Sequence, residues 1–161
     1  MYHACNRGSR KGVLFDSCED YEAFTNLMEA ARGKTDVRIP AYCLMPTHVH
    51  FLLWPRRDGD VIRFMHWLTS THAKRFHRRR GSVGTGAVYQ SRYYSRPMDE
   101  GRKIFTALRY VERNALVAGL VKRAEDWPWG SAWNGSPPSP FIIDESPIPR
   151  PSNWLTILND L

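Results

Sequence analysis

Two apolar stretches in the first third of the chain have the composition of β-strands. They cover residues 39–45 and 48–54, and a Pro46-Thr47 dipeptide separates them. Both stretches are rich in β-branched and aromatic residues, which favours strands, and a proline between them favours a turn. We therefore predict two adjacent strands joined by a short turn.

The second of these strands carries a histidine pair. Because successive side chains of a strand alternate between its two faces, His48 and His50 point in the same direction. The apolar residues that alternate with them point to the opposite face, where they are candidates for the core. These residues are Val49, Phe51 and Leu53.

Three further segments, at 19–31, 61–79 and 100–117, repeat apolar residues with the period of amphipathic helices. Two further strands are predicted at 2–6 and 87–96. The predicted boundary residues of the helices are Asp16 or Ser17 before the first, Gly33 after it and Gly119 after the third. The resulting order is strand, helix, strand, strand, helix, strand, helix. It is typical of a ferredoxin-like α+β fold, in which a split βαβ arrangement forms an antiparallel sheet with helices packed on it.

The C-terminal part of the chain has a different composition. A compact turn is predicted at 126–131, followed by an extended, Pro-rich segment at 136–151. A short terminal helix is predicted at 154–161. We therefore divide the chain into a main domain, 1–133, and an irregular C-terminal tail, 134–161.

Composition narrows the possible classes of function. The chain has 161 residues, of which 42% are hydrophobic and 24% charged, as in a globular domain with one core. Its net charge of +7 favours a polyanionic partner, with nucleic acid ahead of an anionic membrane surface. No apolar run is long enough to span a bilayer and no secretory signal pattern follows Met1, so we expect no membrane partner and a cytoplasmic location. The three widely spaced cysteines predict neither a disulfide framework nor a Cys-rich zinc site.

A second pair of polar residues lies on the third predicted helix. Tyr110 and Asn114 are four residues apart and share a face, to the side of the apolar stripe. Taken alone, this pair is typical of the edge of an amphipathic helix, and a lone histidine on a strand is typical of a core position. For the helix to complete one site with the histidine pair, it must lie across the histidine face of the sheet. The first two helices would then cover the opposite face.

The two pairs together suit one kind of metal site. Two imidazoles and an amide oxygen are appropriate ligands for a catalytic Mg²⁺ or Mn²⁺ ion with open positions for water and phosphate. The Tyr110 hydroxyl beside such an ion is a candidate nucleophile. A structural zinc site would need a further strong ligand, which neither Cys5 nor Cys18 supplies at a useful spacing.

These residues belong to a longer set of motifs. In chain order the motifs are Tyr2-His3 with Asn6-Arg7-Gly8, Ala41-Tyr42-Cys43-Leu44-Met45-Pro46 with His48-Val49-His50, Tyr89-Gln90-Ser91-Arg92-Tyr93, Tyr110-Val111-Glu112-Arg113-Asn114 with Ala118-Gly119-Leu120-Val121, and Glu125-Asp126-Trp127-Pro128-Trp129-Gly130-Ser131. With this set the chain resembles the HUH-class single-tyrosine transposases of the IS200 type, and among them the REP-associated tyrosine transposase branch. The resemblance spans nearly all of residues 2–133.

The resemblance implies a role for each candidate residue. His48 and His50 would bind the metal ion with Asn114 as a further ligand, and Tyr110 would attack a phosphodiester of single-stranded DNA at a hairpin-forming, REP-like sequence. In such enzymes the tyrosine becomes joined to the 5′-phosphate and a 3′-hydroxyl is released, and attack by another 3′-hydroxyl transfers the strand. No nucleotide cofactor is needed. The family contains both monomers and homodimers in which the tyrosine helix serves the partner's site.

The chain departs from the family pattern at three places. Thr47 stands where many relatives have Asn, and Ala115 stands where relatives often have Pro. The first strand begins close to Met1, so we expect the usual leader to be missing or trimmed. None of these departures affects the proposed ligands or the nucleophile.

Basic residues are the candidates for binding the DNA strand, with arginines on phosphates and aromatic residues stacked on bases. They are Arg7, Arg10, Lys11, Lys74, Arg75, Arg78, Arg79, Arg92 and Arg96. For the cluster on the second predicted helix, a solvated helix end is an equal interpretation. Two other functions stay open: a domesticated protein that binds DNA hairpins without cutting them, and an RNA-binding module of the same fold. The intact set of ligands and nucleophile favours the enzyme, because a binding protein does not need all of them.

Overall fold

A four-stranded antiparallel sheet lies at the centre of the computed structural model, which describes residues 1–99, 101–137, 139 and 141–160. The strands are β1 (Tyr2–Arg7), β2 (Arg38–Met45), β3 (His48–Trp54) and β4 (Tyr94–Pro97). Their spatial order is β2-β3-β1-β4. This is the order of a split βαβ sheet, so the predicted ferredoxin-like α+β class is confirmed.

Helices cover both faces of the sheet. Within the described residues they are α1 (Cys18–Thr35), α2 (Asp60–Arg80), α3 (Gly101–Val117) and α4 (Trp154–Asn159). The apolar side chains of α1 and α2 pack on the face of β3 that carries Phe51. Those of α3 and α4 pack on the face that carries Leu52. Because Leu52 and His50 are two residues apart on β3, α3 lies on the histidine face, as the sequence predicts.

The ends of the helices follow the predicted caps with one exception. The Ser17 hydroxyl accepts a hydrogen bond from the Asp20 backbone N–H at 3.3 Å, which caps α1. The predicted end of α1 at Gly33 is wrong, because the helix continues to Thr35 and Asp36 adopts the left-handed conformation that ends it. Gly119 follows α3 with a φ of 71°, as predicted. Glu100, the predicted first residue of α3, lies outside the described residues.

The fourth strand is shorter than the sequence predicts. The predicted strand at 87–96 is observed only from Tyr94 onwards. The preceding loop is held instead by an isolated bridge between Gly8 and Tyr89, and by a 2.7 Å hydrogen bond between the buried Tyr89 hydroxyl and His72 Nδ1. Tertiary packing of one aromatic residue therefore overrides the local strand preference.

The C-terminal part packs against β2 and α3. The turn at 126–131 folds onto β2, where the Ser131 backbone N–H donates to the Tyr42 carbonyl. In the tail, Phe141 is buried in the core and α4 packs on α3. Leu161, the predicted last residue of the terminal helix, lies outside the described residues, as do Pro138 and Pro140 of the predicted extended segment. Across the described ranges, no helix is long and apolar enough to cross a membrane.

Candidate active site

Strand β3 fixes the histidine pair at one end of the sheet. This strand is hydrogen-bonded on both sides, to β1 and to β2, so its backbone has little freedom. The rings of His48 and His50 lie with their centroids 5.0 Å apart and nearly perpendicular. His50 is buried, whereas His48 is half-buried and reaches the surface.

Helix α3 brings Tyr110 and Asn114 to the same place. The apolar stripe of α3 packs on the sheet through residues such as Leu108 and Val111, which leaves Tyr110 at the side of the helix. The Tyr110 ring lies 5.6 Å from the His50 ring, centroid to centroid, and 52% of the tyrosine surface is exposed. The Asn114 amide nitrogen donates to the Tyr110 carbonyl at 2.8 Å and to the Val111 carbonyl at 3.3 Å. Because the nitrogen makes both of these bonds, the amide oxygen is left for another partner.

The four residues share one open cavity of about 330 Å³. Two of the predicted DNA-binding cations, Arg7 and Arg92, also line it. Its remaining lining residues are Cys5, Asn6, Gln90, Ser91 and Tyr94. A second cavity, of about 380 Å³, also borders Tyr110, and the predicted DNA-binding residue Arg96 lines it. The structure thus brings together candidate residues that lie far apart in the sequence.

The other predicted DNA-binding residues lie away from this cavity. Arg10 and Lys11 form a 3-10 turn (Ser9–Lys11) after β1. Lys74, Arg75, Arg78 and Arg79 lie on α2, which packs on the opposite face of the sheet, and Arg79 forms an ion pair with Asp20 of α1. Within the described residues, the lining of the first cavity includes none of these six. Their contact with DNA stays a prediction.

One ring nitrogen of each histidine in the pair has a hydrogen-bond partner. Nδ1 of His48 lies 3.0 Å from the Thr47 hydroxyl, and Nδ1 of His50 lies 3.1 Å from Nε2 of His3. In both rings this leaves Nε2 for a metal ion, and a metal-bound imidazole commonly uses its other nitrogen for such a hydrogen bond. His3 was not among the predicted site residues. The alternation of side chains along β1 places it on one face of that strand, but only the pairing of β1 with β3 brings it to His50.

The donor set suits a hard divalent ion with open positions. Within the described residues, no group of three or more His, Cys, Asp or Glu side chains is arranged to hold a metal. Two imidazoles and the Asn114 oxygen would therefore leave positions for water and phosphate oxygens, as Mg²⁺ and Mn²⁺ require. A closed structural zinc site does not fit these residues.

Burial keeps the histidines of the site uncharged. Desolvation, followed by the nearby His48, His3 and Arg7, lowers the pKa of His50 to about 3. Burial also lowers the pKa of His48 and that of His3. All three imidazoles are therefore neutral at neutral pH, which is the form that binds metal ions.

Comparisons with known proteins give a consistent picture. The model of a protein family described as "Transposase IS200 like" matches residues 1–114. A protein of Haemophilus influenzae that carries the name REP-associated tyrosine transposase is 24% identical over 132 residues, which cover 74% of this chain and 75% of that protein. A solved structure of a REP-associated tyrosine transposase bound to a REP hairpin matches with a TM-score of 0.64 and 17% identity, over 89% of this chain and 92% of that one. The match to the solved structure shows that the two chains share a fold.

Proposed function

The chain belongs to the IS200-like transposase family, and we propose that it is a metal-dependent endonuclease and strand transferase for single-stranded DNA at hairpin-forming, REP-like sequences. The observation that carries the proposal is the cavity in which the histidine pair of β3 meets Tyr110 and Asn114. The hairpin specificity is supported by the name of the H. influenzae relative and by the REP hairpin in the similar solved structure. Within this proposal, residues 1–133 would form the catalytic domain and residues 134–161 a C-terminal tail. The protein would act in the cytoplasm.

Three side chains would hold the metal ion. They are His48 and His50, through Nε2, and Asn114, through its amide oxygen. A Mg²⁺ or Mn²⁺ ion bound there would polarise the scissile phosphate and stabilise the charge that develops on it. The buried position of His50 and its two neighbouring strands hold this ligand in place before DNA arrives.

Tyr110 would carry out the covalent step. Its hydroxyl oxygen attacks the phosphorus, the bond between phosphorus and the 3′-oxygen breaks, and the DNA is left joined to Tyr110 through its 5′-phosphate. The phenol proton passes to water in the open cavity, and the released 3′-oxygen takes up a proton. A different 3′-hydroxyl reverses these steps and transfers the strand. Because the phosphotyrosine preserves a phosphodiester, no nucleotide cofactor is required.

The nucleophile would act in cis. Tyr110 already lies beside the histidine pair of its own chain, so neither a partner subunit nor a large helix movement is needed to assemble the site. Arg7 and Arg92, which line the same cavity, would bind the phosphates on either side of the scissile bond.

The decisive experiment is adduct formation with a labelled single-stranded hairpin DNA and Mn²⁺. We expect a protein–DNA adduct that survives denaturant, and we expect Tyr110→Phe to abolish it without abolishing DNA binding. Tyr94→Phe is the matched control, because Tyr94 is the other phenol that lines the cavity, and this variant should still form the adduct.

Two outcomes would contradict the proposal. An adduct formed by Tyr110→Phe would mean that another residue is the nucleophile. Tight hairpin binding by the unmodified chain, with no adduct under any divalent ion, would instead support a domesticated protein that recognises hairpins without cutting them.

A further inference from the structure

His3 of β1 contacts the two functional groups of the site at once. Its Nε2 atom lies 3.1 Å from Nδ1 of His50, and the two rings are nearly parallel, at 7°. Its ring also meets the Tyr110 ring edge-on, with centroids 5.4 Å apart. We propose that His3 is a positioning residue that holds the proton of His50 on Nδ1, so that the Nε2 lone pair of His50 is available in the cavity.

The tautomer of His50 decides which of its nitrogens can bind a metal ion. A neutral imidazole carries one proton, and the hydrogen bond at one nitrogen sets which nitrogen has it. If Nδ1 of His50 donates to His3, then Nε2 of His50 is unprotonated and can act as a ligand. His3 then accepts through Nε2 and carries its own proton on Nδ1. Without His3, the proton on Nδ1 of His50 would lose its acceptor, and this hydrogen bond would no longer favour that tautomer.

The position of His3 argues against a role as a metal ligand itself. His50 lines the first cavity, and His3 is not among the residues that line it; His3 lines the second cavity, which also borders Tyr110. The His3 nitrogen that faces His50 meets Nδ1, and an ion bound to Nε2 would lie on a different edge of that ring. His3 therefore acts through His50 and does not contact the ion.

Two substitutions separate the hydrogen bond of His3 from its ring contact. His3→Gln places an amide oxygen near the position of Nε2 and keeps an acceptor for His50, but it loses the ring. His3→Phe keeps a ring against Tyr110 and loses the hydrogen bond. Tyr2→Phe is the control for disturbance of β1, because alternation along the strand directs Tyr2 to the opposite face.

The primary test is the protonation of His50 in the metal-free, full-length protein. Imidazole ¹H–¹⁵N spectra slightly above neutral pH report which nitrogen carries the proton. We expect Nδ1–H for His50 in the unmodified chain, in Tyr2→Phe and in His3→Gln, and a shift towards Nε2–H in His3→Phe. A proton on Nε2 of His50 in the unmodified chain would overturn the inference, as would an unchanged tautomer in a folded His3→Phe protein.

The second test is Mn²⁺ affinity, measured by calorimetry or by electron paramagnetic resonance without DNA. We expect His3→Phe to weaken Mn²⁺ binding by about 10-fold to 100-fold, as is typical when the hydrogen-bond partner of a ligand is removed, and His3→Gln to weaken it less than tenfold. Equal losses in the two variants would overturn the inference, because ring shape rather than the hydrogen bond would then matter. The consequence for metal binding depends on the proposed function, but the tautomer does not. If the unmodified chain binds no Mn²⁺, the metal site of the proposed function fails, and the spectra still decide the role of His3.

Discussion

At the scale of single residues, the candidate site combines rigidly held proposed metal ligands with an accessible proposed nucleophile. His50 is buried between two strands and held by His3, whereas half of the Tyr110 surface is open to solvent. A buried ligand needs no reorganisation when the metal ion binds, and an exposed phenol can be reached by a strand of DNA. Thr47 fits this arrangement, because its hydroxyl lies 3.0 Å from Nδ1 of His48.

We predict that His48→Ala removes cleavage and leaves the fold intact. The His48 ring is half-buried at the edge of the cavity and is not part of the core, so its loss should not unfold the chain. Removing the hydrogen-bond partner of a metal ligand, such as the Thr47 hydroxyl, typically lowers activity by about 10-fold to 100-fold. Removing the proposed ligand His48 itself should lower adduct formation by more than this. Thr47→Val is therefore the matched comparison, assayed beside His48→Ala with Mn²⁺. Global unfolding of His48→Ala, seen by circular dichroism, would favour the interpretation of a core histidine.

At the scale of elements, one buried carboxylate holds α3, the helix that carries Tyr110, in position. Glu112 of α3 is only 3% exposed. Its carboxylate accepts hydrogen bonds from the Ser131 hydroxyl at 2.7 Å, from the Arg150 guanidinium at 2.6 Å and from the Trp154 indole N–H at 2.6 Å. These partners lie in the compact turn, the tail and α4. The C-terminal segments thus hold α3 in place through Glu112, which is not among the residues that line the first cavity.

We predict that Glu112→Ala is strongly destabilising. The change leaves the Arg150 guanidinium and the Trp154 N–H without their shared acceptor, and breaking a buried pair in this way costs about 3–5 kcal/mol. Urea unfolding should show this loss. Glu29→Ala is the matched control, because Glu29 forms an exposed pair with Arg32 on α1, and such pairs contribute about 1 kcal/mol or less. A similar, small effect for both variants would mean that the tail does not fasten α3.

At the scale of the whole molecule, the buried His72 links stability to pH. His72 packs among aromatic residues between α1 and α2, and its Nδ1 atom is hydrogen-bonded to the Tyr89 hydroxyl. It is not part of the candidate site. Burial lowers the pKa of His72 from 6.5 to about 4; the smaller effect of Asp20 raises this pKa, and that of Arg80 lowers it. Between these two values the unfolded chain binds a proton that the folded chain does not. The free energy of unfolding therefore keeps the full contribution of the neutral His72 above about pH 6.5, and this contribution is lost as the pH falls towards 4.

We predict that the free energy of unfolding falls by about 3 kcal/mol between pH 7 and pH 4 through His72. His50, whose pKa is lowered to about 3, adds to the loss and extends it to lower pH. His72→Gln keeps a hydrogen-bonding group for Tyr89 and should flatten this dependence in urea unfolding at a series of pH values. His66→Gln, a change at an exposed position on the same helix, should leave the slope as it is. An equally steep slope in His72→Gln would assign the loss to other groups.

The net charge of +7 belongs to the same scale, because it would strengthen the proposed binding of DNA. We predict that Arg7→Ala and Arg92→Ala each weaken single-stranded DNA binding and make it less dependent on salt, since each phosphate contact contributes about −0.7 to the slope of log K against log salt for single strands. Arg79→Ala should change the slope less, because Arg79 is engaged by Asp20. Fluorescence anisotropy across a salt series measures all three. A larger change in this slope for Arg79→Ala than for the other two variants would indicate that the DNA contacts the end of α2.

Most of the local geometry follows from the sequence. The alternation of a strand puts His48 and His50 on one face, and the helical turn puts Tyr110 beside Asn114, because in both cases the partners are only two or four residues apart. The order of elements also restricts the sheet to a split βαβ arrangement, which the structure has. The end of α1 was predicted at the wrong residue, because Asp36 supplies the left-handed conformation that was expected of Gly33.

Only the tertiary structure decided which distant groups meet. The contact of His3 with His50 depends on the register of β1 against β3, and the binding of Glu112 to Ser131, Arg150 and Trp154 depends on how the tail returns to α3. No periodicity encodes these contacts, because their partners are separated by 19 to 47 residues and meet only when whole elements pack. The local sequence determines the direction in which a side chain points from its helix or strand, and the packing of these elements determines which distant residues it contacts.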